Sequence, residues 1–253
     1  MRPVPAALAL VAALGPAGPA PAQAPAPAPA QEVPAQEVDV ELVLLADATG
    51  SIDDDEIRFQ RQGYAEALAD PEVVAAVTSG PLGRVAVAYV EWAASTSQDV
   101  VVDWTVIDGP EGARAFGDRL LVAPRRAYGR NAIGAALLRG VEMIEGNAYE
   151  GLRRVIDLSA DSANNWNGPG IDEGRQAALD AGITINGLAV LCRECLSGRA
   201  GGPDLEAAFR ERIVGGPGAF VITADGSVAF AEAVRRKLLQ ELQLSEAEGD
   251  AAR

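Results

Sequence analysis

Leu42-Val43-Leu44-Leu45-Ala46-Asp47-Ala48-Thr49-Gly50-Ser51 is the stretch that decides the architecture. The apolar run shows no polar alternation, the pattern of a strand buried on both faces. It ends on an acid, followed by hydroxyl side chains at every second position. In open α/β sheets ligands bind in the crevice beyond the carboxyl ends of the strands, and that is where Asp47, Thr49 and Ser51 fall. Three hard oxygen donors on one short loop suit Mg²⁺ or Mn²⁺. Asp53-Asp54-Asp55-Glu56 then puts acid in the first turn of a helix over 53–69, where the macrodipole favours it.

Outward from this stretch the periods alternate. Residues 84–92 and 99–107 read as strands, and the short link between them predicts antiparallel neighbours. Residues 110–121 read as a helix. Over 131–145, Ile133, Ala136, Leu137, Gly140, Val141 and Ile144 keep one helical face apolar. A strand over 154–159 runs into Ala160-Asp161, and a helix over 172–181 and a strand over 183–191 follow. A helix near 205–213, a strand over 219–223 and a helix over 227–242 finish the domain. The expected fold is α/β and doubly wound: a mostly parallel six-stranded sheet with one antiparallel edge strand and helices on both faces.

The first residues read as an export signal over 1–22: Arg2, an apolar core, then Ala20-Pro21-Ala22 as a cleavage pattern. That core is too short to span a bilayer, so no membrane insertion is expected. Residues 23–37 form a Pro/Ala-rich linker of extended character. Residues 38–245 form the domain and 246–253 a polar tail. Without 1–22 the chain carries 20 basic against 36 acidic side chains, a net charge of −16, which disfavours nucleic acid and anionic lipid as partners. Lys237 is the single lysine, an Arg bias typical of a GC-rich bacterial genome, so the expected location is periplasmic or secreted. The chain has no histidine. That removes Ser-His-Asp and Cys-His catalysis and any histidine-bearing zinc site.

Asp47-Ala48-Thr49-Gly50-Ser51 resembles the first element of a metal-ion-dependent adhesion site of the von Willebrand factor type A (VWA) fold, Asp-x-Ser-x-Ser, with Thr at the middle position. In that family a Thr on a second loop and an Asp on a third complete the site. Asp161 matches the third element, and Asn131 stands where the Thr is expected. Other segments are similar to an exported bacterial branch of uncharacterised function, among them Gly83-Arg84-Val85-Ala86-Val87, Glu91-Trp92, Val155-Ile156-Asp157, Asn164-Asn165 and Gly215-Gly216-Pro217-Gly218-Ala219-Phe220. The resemblance runs from Val38 to about Leu242. It implies a VWA, Rossmann-like architecture and a Mg²⁺ or Mn²⁺ site of Asp47, Thr49, Ser51, Asn131 and Asp161.

Each residue also has a plainer reading. Ser51 is placed to cap the next helix, with Asp54 three residues on. Asn131 is a good N-cap for the helix it opens. Ala160 and Ser162 stand where the branch more often has Gly, which restricts the backbone there. Arg125, Arg126 and Arg130 read either as a clamp for a partner carboxylate or as a solvated loop. Arg235, Arg236 and Lys237 read as the exposed surface of the last helix. Gly215-Gly216-Pro217-Gly218 lacks the Lys and Ser/Thr of a phosphate loop and reads as a turn. Cys192 and Cys195 suit a local disulfide in an exported chain; a zinc site would lack two ligands and a redox pair its usual setting.

The leading expectation is a protein-binding module rather than an enzyme. Its ion would accept an Asp or Glu side chain from a protein partner. A metal-free interaction scaffold is the alternative. A Mg²⁺-dependent hydrolase built on Asp47 is the third reading, weakened by the lack of a second carboxylate cluster and of a histidine base.

Overall fold

The computed structural model describes residues 35–191, 204–225 and 227–251, with backbone alone at 227–229 and 243–251. The expected export signal, all but the end of the expected linker, and both Cys192 and Cys195 lie outside the described residues. No helix among the described residues is long and apolar enough to cross a membrane.

The strands are β1 (Gln36–Asp47), β2 (Val85–Trp92), β3 (Gln98–Ile107), β4 (Tyr149–Ala160), β5 (Thr184–Leu191) and β6 (Val221–Asp225). The helices are α1 (Asp54–Ala69), α2 (Pro71–Ser79), α3 (Pro110–Val122), α4 (Ile133–Glu145), α5 (Ile171–Asp180), α6 (Leu205–Arg212) and α7 (Ser227–Ala251). They build one six-stranded sheet in the order β3-β2-β1-β4-β5-β6. Every neighbouring pair is parallel except β2 and β3. This is a VWA-like α/β fold, with the antiparallel strand at one edge as the short β2–β3 link predicts.

Strand β1 is the centre. Its alternate residues Leu42, Leu44 and Ala46 pack under α1, α2, α3 and α7 with Tyr64, Val73, Phe116 and Phe230. Val43 and Leu45 pack under α4, α5 and α6 with Ile133, Leu137, Ile171 and Phe209. Apolar burial on two faces explains why the run contains no polar residue before Asp47.

Several boundaries differ from the sequence reading. Helix α2 was not anticipated. Asp70 ends α1 and its carboxylate accepts from the Glu72 amide, while Pro71 needs no amide partner at a helix start. Strand β1 begins at Gln36, two residues inside the expected linker, because Gln36 and Glu37 pair with Tyr149 and Glu150 of a β4 that starts five residues early. Strand β6 sits two residues later than expected, and α7 continues to Ala251, into the expected polar tail.

The largest correction is Lys237. It is fully buried. Its Nζ lies 2.7 Å from Asp157 Oδ1 and 2.7 Å from Glu241 Oε1. Asn186 donates Nδ2 to Glu241 Oε1 at 3.0 Å and accepts the Phe220 amide at 3.1 Å. One ammonium thus faces two carboxylates between the sheet and α7. Burial pushes the Asp157 carboxyl from its ordinary 3.8 up to about 7; Lys237 opposes that rise and Glu241 adds to it. A second buried pair joins α1 to β2: Arg61 Nε and Nη2 bind Glu91 Oε1 and Oε2 at 2.7 and 2.9 Å. Arg61 also donates to the Ala123 and Pro124 carbonyls, fixing the start of the α3–α4 connection.

Lys237→Met keeps the length of the side chain but strands two buried carboxylates. The expected cost is about 3–5 kcal/mol in urea unfolding at neutral pH. Adding Asp157→Asn and Glu241→Gln to that variant should recover most of the loss.

Candidate metal centre

Asp47 is the last residue of β1 and is 2% exposed. Its Oδ1 accepts the Thr49 amide at 2.8 Å. Its Oδ2 is buried with no hydrogen-bond partner among the described residues. Thr49 is buried too, and its Oγ1 lies 3.1 Å from Ser51 Oγ. The Ser51 hydroxyl also lies beside the half-buried Asp161 carboxylate, just past the end of β4, and favours its charged form. Asp47, Thr49, Ser51 and Asp161 therefore form one cluster, closed at Asp47 and open to solvent at Ser51.

Burial pushes the Asp47 carboxyl from its ordinary 3.8 up to about 7, and the Asp161 charge adds to the rise. The amide and hydroxyl of Thr49 and the Asp161 amide pull the other way without offsetting it. Asp161 is itself raised, chiefly by burial, with the Ser51 hydroxyl opposing. Two carboxylates short of solvent, one of them with an unpartnered buried oxygen, beside two hydroxyls, are a hard oxygen set suited to a divalent cation. Among the described residues no three Asp, Glu, His or Cys side chains converge anywhere, so hydroxyls would have to complete the shell.

Asn131 is buried on the neighbouring connection and reaches the cluster indirectly. Its Nδ2 donates to Ser162 Oγ at 3.2 Å, which leaves Oδ1 as the atom it could offer a cation. It does not cap α4. The N-cap is Ala132, without a side-chain bond, and the Gly134 amide is met by Asn165 Oδ1 at 3.1 Å from the β4–α5 loop. That approach needs Gly134, because a Cβ there would lie 2.3 Å from the Gly170 carbonyl. Nor does Ser51 cap α1: Asp53 does, in a capping box with Glu56. The acidic run is thus accounted for by the helix it opens.

Three loops meet around the cluster and are tied by hydrogen bonds. The Gly50 amide donates to the Gly129 carbonyl at 2.8 Å, and the Trp166 amide to the Asn131 carbonyl at 2.8 Å. Arg125, read as part of a solvated loop or a clamp for a partner, instead holds the site loop itself. It donates Nη2 to the Ala48 carbonyl at 2.9 Å and pairs through Nη1 with Asp54 at 2.8 Å. Gln60 reaches the Asp47 carbonyl from α1 at 3.2 Å. Sequence reasoning missed Ser162 and Asn165 as the residues that occupy the Asn131 side chain and the α4 amide. The one available signal was the density of Asn and Ser over 162–167 after a strand end.

A family model described as a protein of unknown function, DUF1194, matches residues 37–246. No curated protein matches the chain. Among solved structures the chain is similar to the pilus adhesin SpaC from Lactobacillus rhamnosus GG in its open conformation. That match has 14% identity and a TM-score of 0.56 over 83% of this chain and 31% of that one. The chain therefore spans about a third of the adhesin's length. It is also similar to a von Willebrand factor type A structure from Catenulispora acidiphila, at 15% identity and a TM-score of 0.53, over 80% and 42% of the two chains. The conserved hypothetical protein BatB from Bacteroides thetaiotaomicron matches at 15% identity and a TM-score of 0.51, over 81% and 98%. At these identities the likeness establishes the fold.

Both Asp47 and Asp157 hold protons up to about pH 7 in the folded chain and release them near 3.8 when it unfolds. The folded state then binds more protons between those values, so stability falls as pH rises from about 4 to about 7. Thermal unfolding in chelator should show this, each group contributing up to about 1.4 kcal/mol per pH unit. Asp47→Asn should flatten the slope and raise Tm at pH 7.5 in chelator.

Proposed function

The chain belongs to the DUF1194 family, and on that footing we propose that it is an exported protein-binding module whose recognition depends on a divalent ion held at the end of β1. The observation that carries this reading is Asp47 Oδ2, a buried carboxylate oxygen without a donor, set beside Asp161 and two hydroxyls at the carboxyl edge of a VWA-like sheet. Asp47, Thr49, Ser51 and Asp161 would hold Mg²⁺ or Mn²⁺, with Asn131 Oδ1 a further candidate donor. Bound there, the ion supplies an electron-poor centre for a carboxylate oxygen of a partner protein.

The chain's own residues divide the work. Asp47 provides the charge and, through its buried position, the affinity. Ser51 stands exposed at the mouth, where a partner arrives, and its hydroxyl favours the charged form of Asp161. Arg125 keeps the Asp47 loop from opening by gripping the Ala48 carbonyl. The reading is coordination rather than catalysis, and the leader-like segment over 1–22 supports a periplasmic or extracellular setting. A pilus adhesin among the fold's relatives agrees with a role in binding, although fold alone does not carry function.

A metal-free scaffold is the second reading. It is favoured by one observation: Asn131 is already bonded to Ser162, so two of the three loops are tied without an ion.

Calorimetric titration of the full chain with Mg²⁺ and with Mn²⁺ tests the choice. Saturable binding is expected, abolished by Asp47→Ala. The affinity should weaken by up to about tenfold per pH unit below 7, as protons compete for Asp47. A well-folded sample that takes up neither ion moves the domain to the scaffold reading.

A further inference from the structure

Two exposed aromatic side chains flank the candidate centre: Tyr128, 57% exposed on the α3–α4 connection, and Trp166, 59% exposed on the β4–α5 loop. Exposed large aromatics held on a rigid rim are characteristic of binding surfaces, since their burial is left for the partner to complete. Each carries a guanidinium on its face. Arg130 lies 4.5 Å from the Trp166 ring centre and Arg125 lies 4.8 Å from that of Tyr128.

The backbone under this rim is fixed. Asn167 donates Nδ2 to the Arg130 carbonyl at 2.9 Å and accepts the Ser95 amide at 2.8 Å, stapling three loops together. The Trp166 amide is held by the Asn131 carbonyl. Gly129, at φ +129°, lets the chain turn against Ala94, where a Cβ would come within 2.7 Å.

The arginines are not equivalent. Arg125 is spent on Asp54 and the Ala48 carbonyl. Arg130 makes no ion pair with a carboxylate among the described residues; its guanidinium rests only on the indole. Arg126 is two-thirds exposed and stands 3.9 Å from Asp99, at the limit of an ion pair. In a chain of net charge −15, this connection presents two accessible guanidiniums next to the cluster proposed to receive a partner carboxylate.

We propose that Arg130 stacked on Trp166, together with Arg126 and Tyr128, is the specificity rim of the binding site and recognises an acidic segment of a partner protein. One carboxylate of that segment reaches the ion and a neighbouring one pairs with the Arg130 fork, while Tyr128 and Trp166 cover the segment's apolar atoms. The first contact rests on the function proposed above. The second does not need the ion. Charge complementarity selects the occupant: the rim is locally basic on an acidic protein, so an acidic segment is attracted at the rim and repelled by the rest of the surface, while a basic segment is repelled at the rim.

The test uses the full chain and a fluorescein-labelled hexaglutamate peptide, read by fluorescence polarisation in Mg²⁺ and in chelator, with hexaglutamine as the neutral control. Hexaglutamate should bind and hexaglutamine should not. Arg130→Ala and Trp166→Ala should each weaken hexaglutamate binding about tenfold, and Trp166→Phe should retain most of it. The Mg²⁺ titration and the Tm of these variants should match the parent. Arg130→Gln, which keeps the stem over the indole but removes the charge, should behave like Arg130→Ala. Binding that persists in chelator and still falls in Arg130→Ala supports the rim while overturning the ion reading. Mg²⁺ uptake without hexaglutamate binding, or with binding equal in all variants, overturns the rim and leaves the ion reading standing.

Discussion

Strand β1 is hydrogen-bonded on both edges and covered by helices on both faces, so its carboxyl end has no route to water except through the loops above it. A carboxylate placed there is costly unless something meets it. Asp47 is met on one oxygen only. The three loops around it are held by the Arg125 grip and the Asn167 staple, and they leave the remaining oxygen buried without a hydrogen-bond partner among the described residues. The candidate centre follows from that single geometric restriction.

The same restriction shapes the interior below. The face under α1 and α7 holds two buried ionic groupings, Arg61 with Glu91 and Lys237 with Asp157 and Glu241. Buried ion pairs contribute little net stability, but a misplaced partner is heavily penalised. They therefore act as alignment marks. Arg61 sets α1 against the end of β2 and the start of the α3–α4 connection, and Lys237 sets α7 against β4. Helices that carry apolar stripes alone could slide along the sheet; these two cannot shift by a turn without stranding a charge.

The architecture was legible wherever one period ran uninterrupted. The β1 run, the α4 stripe and the short β2–β3 link led to the sheet and its antiparallel edge. The convergence of Asp47, Thr49, Ser51 and Asp161 was legible because strand ends in a parallel sheet share one edge. What escaped was set by tertiary partners. Lys237 lies three residues after Val234 and four before Glu241, inside the same stripe as Phe230 and Leu238, yet its charge argued for the surface. Glu241 one turn on and the facing Asp157 together make the buried position tolerable, and Asp157 is distant in sequence. Asn131 looked like a cap for the same reason: its local role was plain, while the residue that meets the helix amide, Asn165, comes from another loop. The helix read over 53–69 is followed at once by a second one, because Asp70 and Pro71 form a helix start of their own.

The central position of β1 also governs how this chain can reach its native state. Val43 pairs with Ala88 on one side and with Ile156 on the other, the second lying over a hundred residues away. Bringing such distant segments together is entropically slow, and parallel pairing makes it slower. During synthesis the central strand of the sheet appears first and waits longest for its second neighbour. Until β4 arrives, one edge of β1 is an open template for pairing with another chain. The strand that anchors the finished fold is thus the segment most exposed to aggregation during assembly, and crowding of nascent chains would be felt there first.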